Sequence, residues 1–363
     1  MEFLITKNEL LNRWNLSLDN KVKWAIERYI DYVEVFGLEN VFISFSGGKD
    51  SDVLCDIIDK LHSGFFEYLL EYEYIFLYNK LIKGFPPPKK VFCNTGLEFP
   101  EIIKHVKKRY PETIFLKPKI GFTKFISLYG VAVGSKKIAE QIRRLKEYLK
   151  NPTEKNLATR NLYLTGITKD GKKSNSAIPK KWLKLLDAPF EVTEKCCDNF
   201  KKEPIRDFIK KTKMKSIVGT TAEESTTRTV SYMQTGCNSF EKGKEKCRPI
   251  SIFRINDIWE YSEKFNLKFC EVYYNRTVEV VQIDGTIKVQ DLEAEKQTGC
   301  TFCLFGMHLE PKNKANRIQR IAISNPKYYD IIINKCGLGN VLEWLKIPYK
   351  PFKKCNKQFQ LFN

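Results

Sequence analysis

Residues 41–58 of this 363-residue chain read VFISFSGGKDSDVLCDII, an apolar run, two adjacent glycines and a second largely apolar run. The order predicts a strand, a tight turn and a helix. Gly47 and Gly48 permit positive φ and let a ligand approach the backbone closely. The free N–H groups at the start of the helix, together with its dipole, favour an anion. The stretch therefore predicts a phosphate-binding turn, with a purely structural glycine turn as the alternative.

A second stretch of the same kind follows the short apolar run at residues 90–93. Residues 94–101 read NTGLEFPE. The glycine turn at residues 46–51 does not have the Gly-x4-Gly-Lys-Ser/Thr spacing of kinases and GTPases. Its order, SGGKDS, resembles instead the PP-loop of the ATP pyrophosphatase superfamily. Residues 94–101 resemble the second signature of the phosphoadenosine phosphosulfate (PAPS) reductase branch, which usually begins with Asp where this chain has Asn94.

Three further segments resemble the same family. Residues 219–228, GTTAEESTTR, match its Gly-x-x-Ala-Glu-Glu-Ser-x-x-Arg segment, which lies at the nucleotide site. The Arg-Pro-Ile at residues 248–250 and the Asp-Ile-Trp-Glu-Tyr at residues 257–261 resemble its Arg-Pro-Leu and Asp-x-Trp-x-Tyr elements. With them, the resemblance covers about residues 40–350.

The resemblance implies an adenine nucleotide, ATP or another, bound with Mg²⁺. Lys49 and Asp50 are the expected catalytic residues, with Lys49 supplying positive charge and Asp50 a magnesium contact. The expected cofactor-binding residues are Ser46, Gly47, Gly48, Lys49, Asp50, Ser51, Thr95, Gly96, Glu98, Gly219, Glu223 and Arg228.

Alternating strand and helix patterns predict an α/β fold, a doubly wound, Rossmann-like parallel sheet. The resemblance implies in addition a smaller C-terminal iron-sulfur-binding segment. We expect an N-terminal helical segment at 1–39, a nucleotide-binding α/β domain at 40–235 and a C-terminal subdomain at 236–363. Residues 64–88 predict an inserted aromatic-rich helix, and residues 278–289 a β-hairpin. Ligands of such sheets bind at the carboxyl ends of the strands. We therefore expect the loops that contain residues 46–51, 94–101 and 219–228 to meet there.

Four of the 11 cysteines form an unusual pair of motifs. Cys196 and Cys197 are adjacent, and Cys300 and Cys303 form a Cys-x-x-Cys. Adjacent cysteines suit a tetrahedral zinc site poorly. The set resembles the ligands of the four-iron four-sulfur (4Fe-4S) cluster in the iron-sulfur branch of sulfonucleotide reductases. We expect a 4Fe-4S cluster, with zinc and free thiols as alternatives.

Other cysteines could carry or relay sulfur. The sequence does not decide whether Cys237, Cys247, Cys336 or Cys355 is catalytic. Cys336 begins a Cys-Gly-Leu that resembles the Cys-Gly-Leu-His tail of the reductases, but Gly339 stands where the His would be.

The net charge of +19 is concentrated. Residues 104–150 hold 13 Lys and Arg against 3 Asp and Glu, and a second cluster of six lysines with one aspartate follows at residues 169–184. Such patches suit nucleic acid, and solvated helix faces are the alternative. The expected nucleic-acid contacts are Lys136, Lys137, Arg143 and Arg144.

No apolar stretch approaches the roughly 20 residues of a membrane span, and residues 1–7 lack a signal peptide's apolar core. The sequence therefore predicts a cytoplasmic protein without a membrane partner.

The family resemblance implies two enzymatic chemistries. We expect ATP-dependent adenylation and sulfur transfer to an acceptor in nucleic acid, tRNA or DNA, with a donor such as a cysteine desulfurase as an expected partner. The first alternative is a sulfonucleotide reductase that releases sulfite. The second is a non-enzymatic iron-sulfur component that binds nucleic acid.

Overall fold

A six-stranded sheet forms the centre of the protein. The computed structural model describes residues 3–311 and 313–351. Its strands are β1 (Val41–Phe45), β2 (Lys90–Cys93), β3 (Ile114–Leu116), β4 (Val133–Gly134), β5 (Lys215–Val218), β6 (Asn238–Ser239), β7 (Lys246–Cys247), β8 (Arg276–Val281), β9 (Ile287–Leu292) and β10 (Leu304–Phe305). The central sheet has the order β3-β2-β1-β5-β7-β6, with β6 and β7 antiparallel and the other neighbours parallel. The predicted α/β fold with a mostly parallel sheet is confirmed.

Helices follow the strands along the chain. They are α1 (Lys7–Trp14), α2 (Leu18–Phe36), α3 (Lys49–His62), α4 (Tyr72–Leu81), α5 (Pro100–Arg109), α6 (Phe122–Tyr129), α7 (Lys136–Lys150), α8 (Glu154–Thr165), α9 (Lys180–Leu183), α10 (Glu203–Thr212), α11 (Thr226–Thr235), α12 (Ile255–Lys264), α13 (Arg317–Ser324), α14 (Pro326–Asp330) and α15 (Leu338–Trp344). Two π-turns, Asp198–Lys202 and Ile331–Lys335, interrupt this pattern. In the described part of the chain, no helix has the length and apolar character that crossing a membrane requires.

The core forms around β1 because its apolar side chains are buried on both faces. Val41, Phe42 and Ile43 are fully buried, as expected for a central strand of a parallel sheet. Burial of each such side chain contributes about 1.5–3 kcal/mol. The predicted N-terminal helix is α2, which ends at Gly37 with a φ of +81°.

The other predicted elements are also present. Strands β8 and β9 form the expected hairpin, and α4 is the expected inserted helix. On α4 the side chain of Tyr78 is buried, whereas Tyr72 is 91% exposed. Strands β6 and β7 extend the central sheet beyond residue 235, so the division of the chain at that residue stays a prediction.

Buried polar contacts fix the orientation of α3. Asp56 accepts hydrogen bonds from Arg109 on α5 and from the Tyr261 hydroxyl on α12, both at 2.9 Å. One turn earlier, Asp52 lies 2.8 Å from Nε2 of His105. Burial raises the pKa of Asp52, and the hydrogen bond with His105 opposes that shift. These contacts tie α3 to α5 and α12.

We expect Asp56→Ala to lower the free energy of unfolding by about 2–4 kcal/mol, because it leaves a guanidinium and a phenol without their partner. Urea denaturation followed by circular dichroism measures the loss. Asp19→Ala is the matched control: it breaks an exposed pair with Lys264 and should cost less than about 1 kcal/mol. Equal losses in the two variants would contradict the anchoring role of Asp56.

Candidate functional site

The turn between β1 and α3 has the geometry that its glycines predict. Gly47 has a φ of +68°, and a Cβ there would lie 2.8 Å from side-chain atoms of Ile102 and Val106. Gly219, after β5, approaches just as closely, since its Cβ would lie 2.8 Å from Cα of Ser51. Larger residues at Gly47 or Gly219 would therefore push the turn out of place. We call residues 46–51 the PP-loop.

Hydroxyl groups close the PP-loop on itself. The Oγ atoms of Ser46 and Ser51 lie 2.9 Å apart. Ser51 Oγ donates to the carbonyl of Gly48 at 2.8 Å, and the N–H of Ser46 donates to Ser51 Oγ at 3.3 Å. The loop is thus held in shape by its own side chains.

Lys49 lies at the N-terminus of α3, where an anion is favoured. Its side chain is buried, and Nζ lies 3.3 Å from Asp50 Oδ1. Its backbone N–H donates to the hydroxyl of Tyr273 at 3.3 Å, and that hydroxyl lies 2.5 Å from Oγ1 of Thr298. Tyr273 therefore occupies a donor that a phosphate oxygen would use. Sequence reasoning missed both Tyr273 and Thr298, because no motif marks either residue.

The second signature forms a compact turn after β2. The carboxylate of Glu98 accepts from the backbone N–H and the hydroxyl of Thr95 at 2.9 and 2.8 Å. Asn94 departs from the family's usual Asp, yet its side-chain oxygen accepts from the N–H of Gly96 at 3.0 Å. An amide oxygen serves this turn as a carboxylate would.

The third loop, after β5, contributes a cation beside the PP-loop. Arg228 pairs with Glu224. Burial lowers the pKa of Arg228, and the charge of Asp50 acts in the opposite direction, which places Arg228 near Asp50. Glu223 accepts from Arg254 and from the N–H of Ile255 at the start of α12, at 2.9 and 2.7 Å. Its role as a nucleotide ligand stays a prediction.

A pocket lies beside the PP-loop, and we call it the PP-loop pocket. Its lining joins the carboxyl ends of β1 and β2 to two later segments of the chain, as expected for an open parallel sheet. Its polar lining residues are Ser44, Ser46, Cys93, Glu98, Lys201 and Thr298. Cys93 is a thiol that sequence reasoning did not assign to the site, and it donates to the carbonyl of Phe200 at 3.0 Å.

A second pocket is lined by all four cysteines that were predicted as cluster ligands, Cys196, Cys197, Cys300 and Cys303. We call it the cysteine pocket. Its other walls are mostly apolar, with Leu97, Phe125, Phe200 and Leu304 among them. Burial and the charges of neighbouring thiols raise the pKa of Cys196, and burial raises that of Cys300 to about 11. The structure therefore brings together two motifs that lie about a hundred residues apart in the sequence.

The cysteine pocket has donors of the kind that bind metal centres. Four thiols in one largely apolar pocket match the number of thiolates that a 4Fe-4S cluster takes. Among the residues described, no three His, Cys, Asp or Glu side chains stand as ligands around one metal ion. The donor set fits a cluster by number and kind, and the identity of the centre stays a prediction.

Hydrogen bonds join the cysteine pocket to the second signature. Thr301, inside the Cys-x-x-Cys, donates its N–H and its hydroxyl to the carbonyl of Leu97 at 2.8 and 3.0 Å. Tyr328 on α14 donates to the carbonyl of Gly96 at 2.8 Å. The turn beside the PP-loop pocket and the Cys-x-x-Cys loop are therefore one connected structure.

Lys201 lines both pockets. Loss of water around its ammonium lowers its pKa, but the charges of Cys300, Glu98 and Cys197 outweigh this effect, so the pKa is raised overall. Lys201 thus lies between the two pockets, beside Glu98 and the thiol of Cys300.

The predicted nucleic-acid contacts lie at α7, and three of them are engaged within the chain. Arg143 binds Glu194 with two hydrogen bonds of 2.6 and 2.9 Å. Arg144 pairs with Glu140 at 3.3 Å, and Lys137 donates to the carbonyl of Asn175 at 2.9 Å. The expected contacts also include Lys136, for which the described residues provide no ion pair. A role of these four residues in nucleic-acid binding stays a prediction.

The remaining candidate cysteines lie outside both pockets or outside the described residues. Cys237 and Cys247 are buried. Cys336 lies half-buried with Sγ 3.0 Å from the hydroxyl of Thr123 on α6. Cys355 falls outside the described residues.

Comparison with known proteins gives one family match. Residues 167–303 match the phosphoadenosine phosphosulfate reductase domain. No curated protein matches the chain. A crystal structure of phosphoadenylyl-sulfate (PAPS) reductase from Candida auris, in a phosphate complex, aligns over 75% of this chain and 93% of that chain, at 13% identity and a TM-score of 0.34. That score is too low to support an argument about the site.

We expect Tyr273→Phe to tighten ATP binding about 3- to 10-fold, because it frees the N–H of Lys49 for a phosphate oxygen. Isothermal titration calorimetry measures the dissociation constant. Tyr274→Phe is the matched control, since the hydroxyl of Tyr274 accepts instead from the N–H of Phe269, and it should leave the constant unchanged. Weaker binding in Tyr273→Phe would show that the phenol is a ligand of the nucleotide and not its competitor.

Proposed function

We propose that this chain, whose residues 167–303 match the phosphoadenosine phosphosulfate reductase domain and whose residues 46–51 resemble a PP-loop, uses ATP to transfer sulfur to an acceptor in nucleic acid. The observation that carries the proposal is the pair of adjoining pockets. One contains the PP-loop Ser46 and the other contains four thiols, and Lys201 lines both. A site for ATP next to a site for sulfur chemistry is what this reaction requires.

The reaction has two steps. An oxygen of the acceptor attacks the α-phosphorus of ATP, the bond to the β-phosphate oxygen breaks, and pyrophosphate leaves. A hydrosulfide ion then attacks the acceptor atom that bears this oxygen, AMP leaves with the oxygen, and the proton of the hydrosulfide passes to solvent. Lys49 and the N–H groups of α3 stabilise the negative charge that builds on the phosphates. Asp50 would hold Mg²⁺, which when bound would supply positive charge at the phosphates.

The cysteine pocket supports a metal centre in this proposal. Cys196, Cys197, Cys300 and Cys303 would hold a 4Fe-4S cluster, which when bound supplies redox-active iron. Lys201, which lines both pockets, would offset part of the negative charge of such a cluster. The pair of Arg143 and Glu194 braces the chain two residues before Cys196.

The family match favours a second candidate, a sulfonucleotide reductase. In that reaction a cysteine thiolate attacks the sulfur of the sulfonucleotide, and the nucleotide leaves through its phosphate oxygen. A dithiol reductant then releases sulfite from the S-sulfocysteine and is itself oxidised to a disulfide. Cys336 is a candidate nucleophile, because it contacts Thr123, whose neighbour Phe122 lines the cysteine pocket.

One assay separates the candidates. We expect anaerobically purified protein to release AMP and pyrophosphate from ATP when tRNA or DNA is present. Lys49→Ala should lower this rate by about 100-fold or more, because it removes a cation from the phosphate site. Lys80→Ala, at an exposed lysine of α4, is the control and should leave it unchanged.

Sulfite release from either sulfonucleotide, without pyrophosphate release from ATP, would overturn the proposal in favour of the reductase. If neither reaction occurs and the protein still binds nucleic acid, the non-enzymatic alternative stands instead.

We expect Cys197→Ser to remove iron and acid-labile sulfide from anaerobically purified protein, because it deletes one of four thiolate ligands. Cys55→Ser is the control: this cysteine is buried in α3 away from the cysteine pocket, and iron should stay bound. Iron and sulfide are measured in equal amounts for a 4Fe-4S cluster. Stoichiometric zinc without sulfide would contradict the assignment.

A further inference from the structure

A lysine-rich surface lies between α8 and the cysteines of the pocket. Six lysines on it are exposed and form no ion pair in the part of the chain that the structure describes: Lys169, Lys172, Lys173, Lys180, Lys181 and Lys184. We propose that this surface, here called the lysine face, binds single-stranded nucleic acid. The proposal rests on the proposed function, for which it names the docking surface of the acceptor.

Hydrogen bonds fix the backbone conformation of the lysine face. Ile167 and Lys173 form an antiparallel bridge, and the N–H of Thr168 donates to the carbonyl of Lys172 at 2.9 Å. The following segment is attached to α7, since Gln141 donates to the carbonyl of Ser176 at 2.7 Å. A surface held in this way presents its charges without a large entropic cost on binding.

The charges of the lysine face are not neutralised locally. Residues 169–184 contain six lysines and one acidic residue, Asp170. On α7, by contrast, Arg143 and Arg144 are paired with Glu194 and Glu140. The positive potential that attracts a polyanion therefore centres on the lysine face and not on the arginines of α7.

Aromatic rings lie among these lysines. Nζ of Lys181 lies 5.5 Å from the ring centroid of Trp182, and Nζ of Lys184 lies 5.3 Å from that of Trp344. His308 is exposed and packs edge to face on Trp182, with the centroids 5.0 Å apart. Cations interleaved with aromatic rings are typical of proteins that bind single strands, whose bases are free to stack. A duplex hides those base faces, so the face favours single strands.

The lysine face is continuous with the cysteine pocket. Trp182 packs against Gly134 in β4, with ring atoms 3.4 Å from the position of a Cβ there. Residues Val131 and Ala132, immediately before β4, line the cysteine pocket, and Val131 bridges to Val192. A strand bound on the lysine face therefore lies next to the site where sulfur chemistry is proposed.

The test measures binding and needs no turnover. Fluorescence anisotropy with 20-nucleotide single-stranded RNA and DNA, and with a duplex of the same sequence, gives dissociation constants over a range of salt concentrations. We expect single strands to bind more tightly than the duplex. The triple variant Lys180→Gln, Lys181→Gln, Lys184→Gln should weaken binding at least 10-fold and lower the slope of log K against log salt by about 2, at about 0.7 per phosphate contact.

Two further variants make the test specific. Trp182→Leu should weaken single-strand binding about 5-fold or more with the salt slope unchanged, because stacking involves no counterion release. The triple variant Lys7→Gln, Lys80→Gln, Lys242→Gln removes the same charge from exposed lysines on α1, on α4 and before β7, and should have no effect beyond about 2-fold. Circular dichroism confirms that each variant is folded.

Equal losses in the two triple variants would overturn the proposal, because they would show that net charge alone controls binding. Tighter binding of the duplex would also overturn it. If these binding results hold but the protein releases no pyrophosphate from ATP, the proposed reaction is contradicted. Binding of single strands by the lysine face is then still supported.

Discussion

The parallel pairing of β1 with β2 on one side and with β5 on the other is the constraint on which the site depends. In this register Phe45 lies opposite Phe92, and Ser44 lies opposite Val218. Parallel strands end at the same edge of a sheet, so the PP-loop and the turns after β2 and β5 emerge side by side. A shift in either pairing would separate these turns, and Gly219 could no longer approach Ser51.

The C-terminal part of the chain supplies one side of the cysteine pocket and is attached to the loops that follow the sheet. Thr301 is bound to Leu97 by two hydrogen bonds, and β10 pairs in parallel with β4. The Cys-x-x-Cys is therefore held against the second signature from one side and against the chain before α7 from the other. If the cysteine pocket holds the proposed cluster, its loss would loosen this junction, because the four cysteines come from both segments.

Local motifs were predictable from the sequence, whereas contacts between distant segments were not. The glycines of the PP-loop, the hairpin and the vicinal cysteines can each be recognised from a few consecutive residues. The contact of Tyr273 with Lys49 spans 224 positions and involves a residue type that is common in ordinary cores. Charge counts also do not show that Arg143, predicted to contact nucleic acid, pairs with Glu194, 51 positions away. Composition measures charge along the chain, and pairing depends on the fold.

This distinction divides the net charge of +19 into two populations of cations. One population is structural: Arg109 holds Asp56 of α3, and Arg143 holds Glu194 beside the cysteine pocket. Arginine suits this use because its guanidinium forms two hydrogen bonds with one carboxylate. The other population includes the exposed lysines of the lysine face, for which the described residues provide no ion pair. A positive charge that has no partner in the chain costs little in water and remains available to an external anion. The fold therefore distinguishes cations that are paired within the chain from exposed cations that stay available to an external anion.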